Sequence, residues 1–191
     1  EINSEIVKAI SESGGRAVGL AGNKNNLLSA TKLKLELKES DSNIEKLVDI
    51  GFVGQPTSIN TDLIKNHINK GEIPIIAPLG IDENNNTYNI NADTAAGFIA
   101  GSLQASKLLL LTDVAGVLDK DNNLISSLSL NNAIKIIDEK FIIGGMKPKI
   151  LTCVEAMKNG VNKSTILDGR IPHSVVLELF TEHGIGTQIY S

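Results

Sequence analysis

The run Lys107-Leu108-Leu109-Leu110-Leu111-Thr112 constrains the fold more than any other stretch of this chain. Leucine at four successive positions predicts a strand that is apolar on both faces and interior to a parallel sheet. Asp113 follows at its carboxyl end, the edge where open α/β sheets bind ligands. Residues 92–103, just before the run, are rich in alanine and glycine and predict a helix of small residues. The rest of the chain alternates in the same way. Ile6, Val7 and Ile10 have helical spacing over residues 4–12, Gly14-Gly15 ends that helix, and Ala17-Val18-Gly19-Leu20 reads as a strand. Residues 22–26 form a polar loop. Residues 32–38 alternate strictly, predicting a strand with one wet face, and residues 47–53 supply its hairpin partner. A helix over residues 60–70 stops at Gly71, a short apolar strand follows over 73–78, and the Asp/Asn-rich residues 80–88 turn with hairpin character. Residues 122–139 read as a loop and a short helix. Then come a helix from Gly144 to Lys158, a strand over 164–167 and a helix over 174–180. This order predicts an α/β three-layer sandwich with a mainly parallel central sheet.

Composition narrows the function. The chain has 191 residues, 41% of them hydrophobic, enough to bury a sizeable core. Its 18 Lys and Arg are scattered among 22 acids, so a nucleic-acid surface is disfavoured and small-molecule partners are expected. The single cysteine, Cys153, excludes an internal disulfide and lies in an apolar-periodic run that predicts burial; a reducing cytoplasm fits. No apolar run has the length of a membrane span, and the first residues do not form a signal peptide. With no initiator methionine, the chain is expected to be processed or to begin inside a longer protein.

Three polar clusters stand at comparable places: Asn89, Asn91 and Asp93 before one helix, Thr112-Asp113 after a strand, and Gly144 to Lys149 at the start of another helix. A helix N-terminus favours anions, glycines let backbone approach a phosphate, and Lys149 falls in the first helical turn. Each cluster alone also fits ordinary capping, a flexible connection or a strand end. Their conjunction points to phosphoryl transfer, and no Walker A pattern is present. His67 falls on a polar helix face, and His173 and His183 are ten apart with no Cys or carboxylate at ligand spacing, so no metal site is expected. No Gly-x-Ser-x-Gly supports a serine nucleophile.

From Ala17 to Thr187 these residues resemble the amino acid kinase family, and within it the acetylglutamate kinases. The motifs are Ala17-Val18-Gly19-Leu20, Ile75-Ile76-Ala77-Pro78, Tyr88-Asn89-Ile90-Asn91-Ala92-Asp93, Leu111-Thr112-Asp113-Val114-x-Gly116-Val117 and Gly144-Gly145-Met146-x-Pro148-Lys149. The resemblance implies ATP-dependent phosphorylation of the side-chain carboxylate of N-acetyl-L-glutamate in arginine biosynthesis, with Mg²⁺ carried by the nucleotide. It implies that Asn89 and Asn91 bind the amino-acid substrate, that Asp93 organises catalytic lysines, and that Lys149 stabilises the phosphoryl group in flight. Residues 112–116 and 141–145 would line the nucleotide site, with Thr112, Asp113, Gly116, Phe141, Ile143, Gly144, Gly145 and Met146 as its binding residues. Residues 1–90 would be the rest of the substrate lobe and 91–191 the nucleotide lobe of one domain, incomplete at its N-terminus. The tail, His-x-x-x-x-Glu-Leu-Phe-Thr-x-x-Gly-Ile-Gly-Thr from His173 to Thr187, resembles the signature of arginine-inhibited members. That makes His173, Glu178, Gly184 and Gly186 candidates for an L-arginine effector site, although a helix stopped by glycines explains the pattern equally. Homo-oligomerisation through the sheet is also implied.

The family's glycine-rich phosphate loop, second catalytic lysine, second glycine pair and carboxylate-clamping arginine do not occur in residues 1–191, so nucleotide binding with little turnover is expected of this chain. Asn23-Lys24-Asn25 replaces a turn that is usually Lys-Asp-Gly. Two alternatives stay open: another acyl-phosphate-forming kinase acting on glutamate, aspartate or carbamate, and a non-catalytic nucleotide- or arginine-binding module.

Overall fold

The computed structural model describes residues 1–38, 45–181 and 184–191. Its chain divides into two compact units, Glu1–Ala95 and Ala96–Ser191. The connection of the first hairpin, residues 39–44, and His183 lie outside the described residues.

In the first unit, α1 (Ile2–Glu12) leads into β1 (Ala17–Ala21), which pairs in parallel with β4 (Ile73–Ala77). The Asn3 side chain donates to the Ile75 carbonyl at 2.7 Å, and a Cβ on Gly19 would lie 2.3 Å from the Asn3 Oδ1. Glycine at that position lets the helix lie directly on the strand. Helix α2 (Thr61–Asn69) starts at Asn60, whose side chain accepts from the Leu63 N–H at 3.2 Å, an ordinary N-cap. Strands β2 (Leu28–Lys38), β3 (Glu45–Ile59), β5 (Leu79–Ile81) and β6 (Thr87–Ile90) close into a four-stranded barrel.

The β2–β3 ribbon is longer than the alternating run predicts. Register shifts at Ser29/Ala30 and Lys32/Lys34 carry it past Gly54 and Pro56 to Ile59. Those polar and strand-averse residues have no alternation to read, and bulges absorb them. Inside the barrel a Cβ on Gly80 would fall 2.5 Å from that of Ala30, so closure depends on small side chains.

In the second unit the sheet order is β7 (Lys107–Thr112), β9 (Lys163–Asp168), β10 (Thr187–Tyr190) and β8 (Ser127–Ser129). Pairing is parallel for β7–β9 and β8–β10 and antiparallel for β9–β10. The leucine run therefore stands at the end of this sheet, not in its interior, and Leu111 is 49% exposed. An apolar run reports what covers the two faces of a strand and carries no information about its hydrogen-bonded neighbours. Two short strands, β8 and β10, fall in stretches that the sequence presents as loop or tail.

One sheet face, with Leu108, Leu110, Ile166, Ile189 and Leu128, packs with Ile150, Cys153, Val154 and Met157 of α5 (Met146–Lys158) and Ala133 of α4 (Leu130–Ile136). Cys153 is fully buried there. The alanine-rich α3 (Ala92–Leu103) approaches α5 so closely that a Cβ on Gly97 would be 2.6 Å from the Thr152 methyl, which accounts for its small residues. Helix α6 (Ser174–Phe180) sends Glu178 to β9 on the opposite face. No described helix is long and apolar enough to cross a membrane.

Candidate functional site

In the first unit, β6 alternates exposed and buried residues, so Tyr88 and Ile90 face inward and Asn89 outward. The Tyr88 hydroxyl donates to Asp82 Oδ2 at 2.8 Å. Asp82 Oδ1 also accepts from the Asn84 and Asn86 N–H groups, and the Asn86 amide leads the causes that hold its carboxyl below the usual carboxylate range. Asn91 caps α3, accepting from the Thr94 N–H at 3.1 Å and its hydroxyl at 3.3 Å. Its side-chain oxygen therefore has a structural task, while Asn89 points outward. Asp93 is half-buried in the first turn of α3, where a carboxylate is favoured. His67 contacts Glu72 at 2.7 Å.

In the second unit a cavity of about 480 Å³ opens at the carboxyl end of β7. Thr112, Asp113, Gly116, Phe141, Ile143, Gly145, Met146 and Lys149 line it together. Gly144 precedes this wall without lining it, at φ +58°, with open space where a Cβ would stand. The glycine there answers to backbone conformation. Gly145 is the N-cap residue of α5 and offers no side-chain cap. Pro148 sits in the first helical turn, where a missing N–H costs nothing. Gly145, Met146 and Lys149 thus bring the first turn of α5 to the cavity wall, an arrangement suited to phosphate. Val114, Leu118, Phe141, Ile142, Ile143 and Met146 make the remainder mostly apolar, as a planar base requires.

The residues that sequence reading missed here are Leu118, Asp119, Lys120 and Asn122. A signal for part of them exists. Asp119-Lys120-Asp121-Asn122-Asn123 has the same composition pattern as Asp82-Glu83-Asn84-Asn85-Asn86, and both fold into one turn. In each, the first Asp accepts from the N–H groups two and four residues on, and the fourth residue has positive φ. The Asn123 N–H leads the causes that lower the Asp119 carboxyl.

A lowered folded-state value means that the turn's contribution is present above the ordinary carboxylate value of about 4 and is lost as pH falls through the lowered one. Thermal melts from pH 6 to pH 2.5 should show wild type losing its advantage over Asp119→Ala only below about pH 4. A constant difference across that range would mean that Asp119 acts without its charge.

At the adjacent strand end, Asp168 pairs in register with Thr112, and the Arg170 guanidinium clasps it through Nε at 3.0 Å and a terminal nitrogen at 2.8 Å. That fork, first among its causes, lowers the Asp168 carboxyl. The tail residues lie elsewhere in this unit. Glu178 is 7% exposed and accepts from Thr165 Oγ1 at 3.0 Å and the Ile185 N–H at 3.1 Å, with the Lys107 ammonium 3.7 Å away. Gly184 has φ +58°, and a Cβ on it would meet the Glu178 carboxylate. His173 is exposed, with φ +60° at the start of α6.

A cavity at a strand end, beside a glycine-led helix bearing a lysine, defines an α/β protein with a site suited to a phosphorylated ligand. The amino acid kinase family profile matches residues 1–168, and the chain belongs to that family. It is 53% identical over 188 residues to the acetylglutamate kinase of Rhodospirillum centenum, covering 98% of this chain and 62% of that protein. To the acetylglutamate kinase of Geobacter sulfurreducens it is 48% identical over 190 residues, covering 100% and 65%. The chain thus spans under two thirds of the length of these relatives. Among solved structures, it is similar to N-acetylglutamate synthase from Neisseria gonorrhoeae complexed with coenzyme A and N-acetyl-glutamate. That likeness has a TM-score of 0.81 at 28% identity, over 96% of this chain and 40% of that one. An isopentenyl phosphate kinase at 19% identity and TM-score 0.68 shares the fold.

Proposed function

We propose that this chain belongs to an ATP-dependent kinase that phosphorylates the side-chain carboxylate of N-acetyl-L-glutamate, a cytoplasmic step of arginine biosynthesis. The observation that carries the reading is the second unit's cavity, apolar along most of its wall and ending at Lys149 and the α5 N-terminus. The relatives named acetylglutamate kinase support the acceptor, and the likeness to a synthase complexed with N-acetyl-glutamate agrees with it.

The chemistry asks little of a base. A glutamate carboxylate titrates at about 4.3 and is ionised at neutral pH. One of its oxygens attacks the γ-phosphorus, the bond from that phosphorus to the bridging oxygen breaks, and ADP leaves with the electron pair. No proton moves. Catalysis then rests on alignment and on neutralising charge that spreads over the phosphoryl oxygens. Lys149 and the backbone N–H groups of α5 serve that purpose in the second unit. In the first, Asn89 offers an outward amide to the acceptor, and Asp93 is an organising carboxylate rather than a proton acceptor.

Among the described residues no group of three His, Cys, Asp or Glu side chains could hold a metal ion. In this reading Mg²⁺ arrives on the nucleotide as part of the substrate, as the kinase family implies. We keep L-arginine as a feedback effector and homo-oligomerisation as parts of the same proposal. The tail pattern supports the former, with Glu178 as the buried anchor of its loop and His173 as its exposed group.

Calorimetric titration of the 191-residue chain with Mg-ADP is expected to give saturable one-site binding. In a protein extended to the relatives' length, ADP release should depend on N-acetyl-L-glutamate and not on L-glutamate, L-aspartate or carbamate. A folded chain that ignores Mg-ADP, or turnover with another acceptor, would remove this reading.

A further inference from the structure

We propose that Thr187 is a positioning residue for the nucleotide cavity, its hydroxyl seating the Gly116-Val117 wall from behind. The inference rests on the nucleotide reading above. Thr187 is fully buried at the start of β10 and pairs with Ile166 of β9, while the next three residues of β10 pair with β8. Its hydroxyl is therefore placed by the sheet and not by the loop that it touches. That hydroxyl accepts from the Val117 N–H at 2.8 Å, across 70 residues of sequence. The Val117 carbonyl accepts from the Ile125 N–H at 2.9 Å, and the Val117 side chain is fully buried.

Gly116, one residue earlier, lines the cavity. Its φ is +149°, and a Cβ on it would lie 2.6 Å from the Thr187 hydroxyl oxygen and 2.8 Å from Leu124 Cδ1. Backbone and hydroxyl are thus in direct contact behind the wall. Thr187 itself does not line the cavity and acts through Gly116. Remove the hydroxyl, and a buried N–H loses its acceptor and must move to find another. The wall from Asp113 to Gly116 moves with it, while the phosphate end on α5 keeps its own support.

Thr187→Val keeps the shape and strand preference of the side chain and deletes the acceptor. Thr187→Ser keeps the hydroxyl and deletes a methyl. Mg-ADP titration of the chain should give a Kd about tenfold higher for Thr187→Val and within about threefold of wild type for Thr187→Ser. Amide exchange should show the Val117 N–H losing protection in the valine variant and retaining it in the serine variant. Thermal melting should fall in both, because each removes a packed or bonded group. That separates positioning from stability: affinity follows the hydroxyl, and melting does not.

Wild-type affinity in Thr187→Val would overturn the inference and leave the nucleotide reading intact. Equal losses of affinity in both variants, in step with melting temperature, would overturn it as a purely structural effect. Failure of wild type to bind Mg-ADP would overturn the nucleotide reading and this inference with it.

Discussion

In a protein extended to the length of its relatives, Lys149→Ala should lower turnover by about 10²- to 10³-fold while KM for either substrate changes less than threefold. The magnitude follows from where the charge is needed. Lys149 lies one turn into α5 and lines the cavity together with Gly145 and Met146 at the start of that helix. On the proposed reading, the α5 amides and Mg²⁺ would hold the phosphates in the ground state, so one ammonium would add little to binding. As the bridging bond lengthens, charge spreads to oxygens that a fixed cation near the transferring group stabilises most. Steady-state kinetics with both substrates varied separates the two effects. A rise in KM at constant turnover would make Lys149 a binding lysine only.

Gly186→Ala should cost about 1–3 kcal/mol of stability, read as a lower urea midpoint with an unchanged slope. A Cβ there would stand 2.3 Å from the carbonyl oxygen of Ile166 and 2.9 Å from Leu167 Cβ. Ile166 and Leu167 are fully buried in β9, between β7 and β10, and have no room to yield. The tail would have to lift off the sheet, carrying Thr187 with it. The resemblance marks Gly186 as part of an effector site, and its packing gives it a second task that precedes any ligand. An arginine response lost at full stability would restore the effector role alone; a midpoint equal to wild type would show that β9 can shift after all.

The order of elements was legible because local chemistry sets it. Asn60, Asn91 and Gly71 start or stop helices through their own side chains or backbone, so residues 60–71 and 91–103 can be read in isolation. The Lys149 side of the cavity was legible for the same reason: Gly145, Met146 and Lys149 are close neighbours in the chain. The far side of its wall was not. Leu118 looks like any core residue until the fold brings it to the same space as Val114 and Ile142. The turn at Asp119 shows the boundary between the two cases. Its repeat of the Asp82 pattern predicts its shape, yet nothing in five residues says that one copy borders the cavity at the end of β7 and the other does not.

Residue patterns sufficed for the family, for the helices and, in the second unit, for every strand except β8 and β10, and for the polar groups offered at three helix or strand ends. Each depends on residues close in the chain, where propensity, capping and charge act without help. Tertiary structure alone decided that the leucine run ends a sheet, that four tail residues form a strand inside it, and that Glu178 serves as a buried anchor. It also decided that a threonine 70 residues from Val117 supplies that residue's hydrogen-bond acceptor. These are facts about neighbours across the sheet. A pattern of side chains records which faces must be covered and says nothing of which strand comes to cover them.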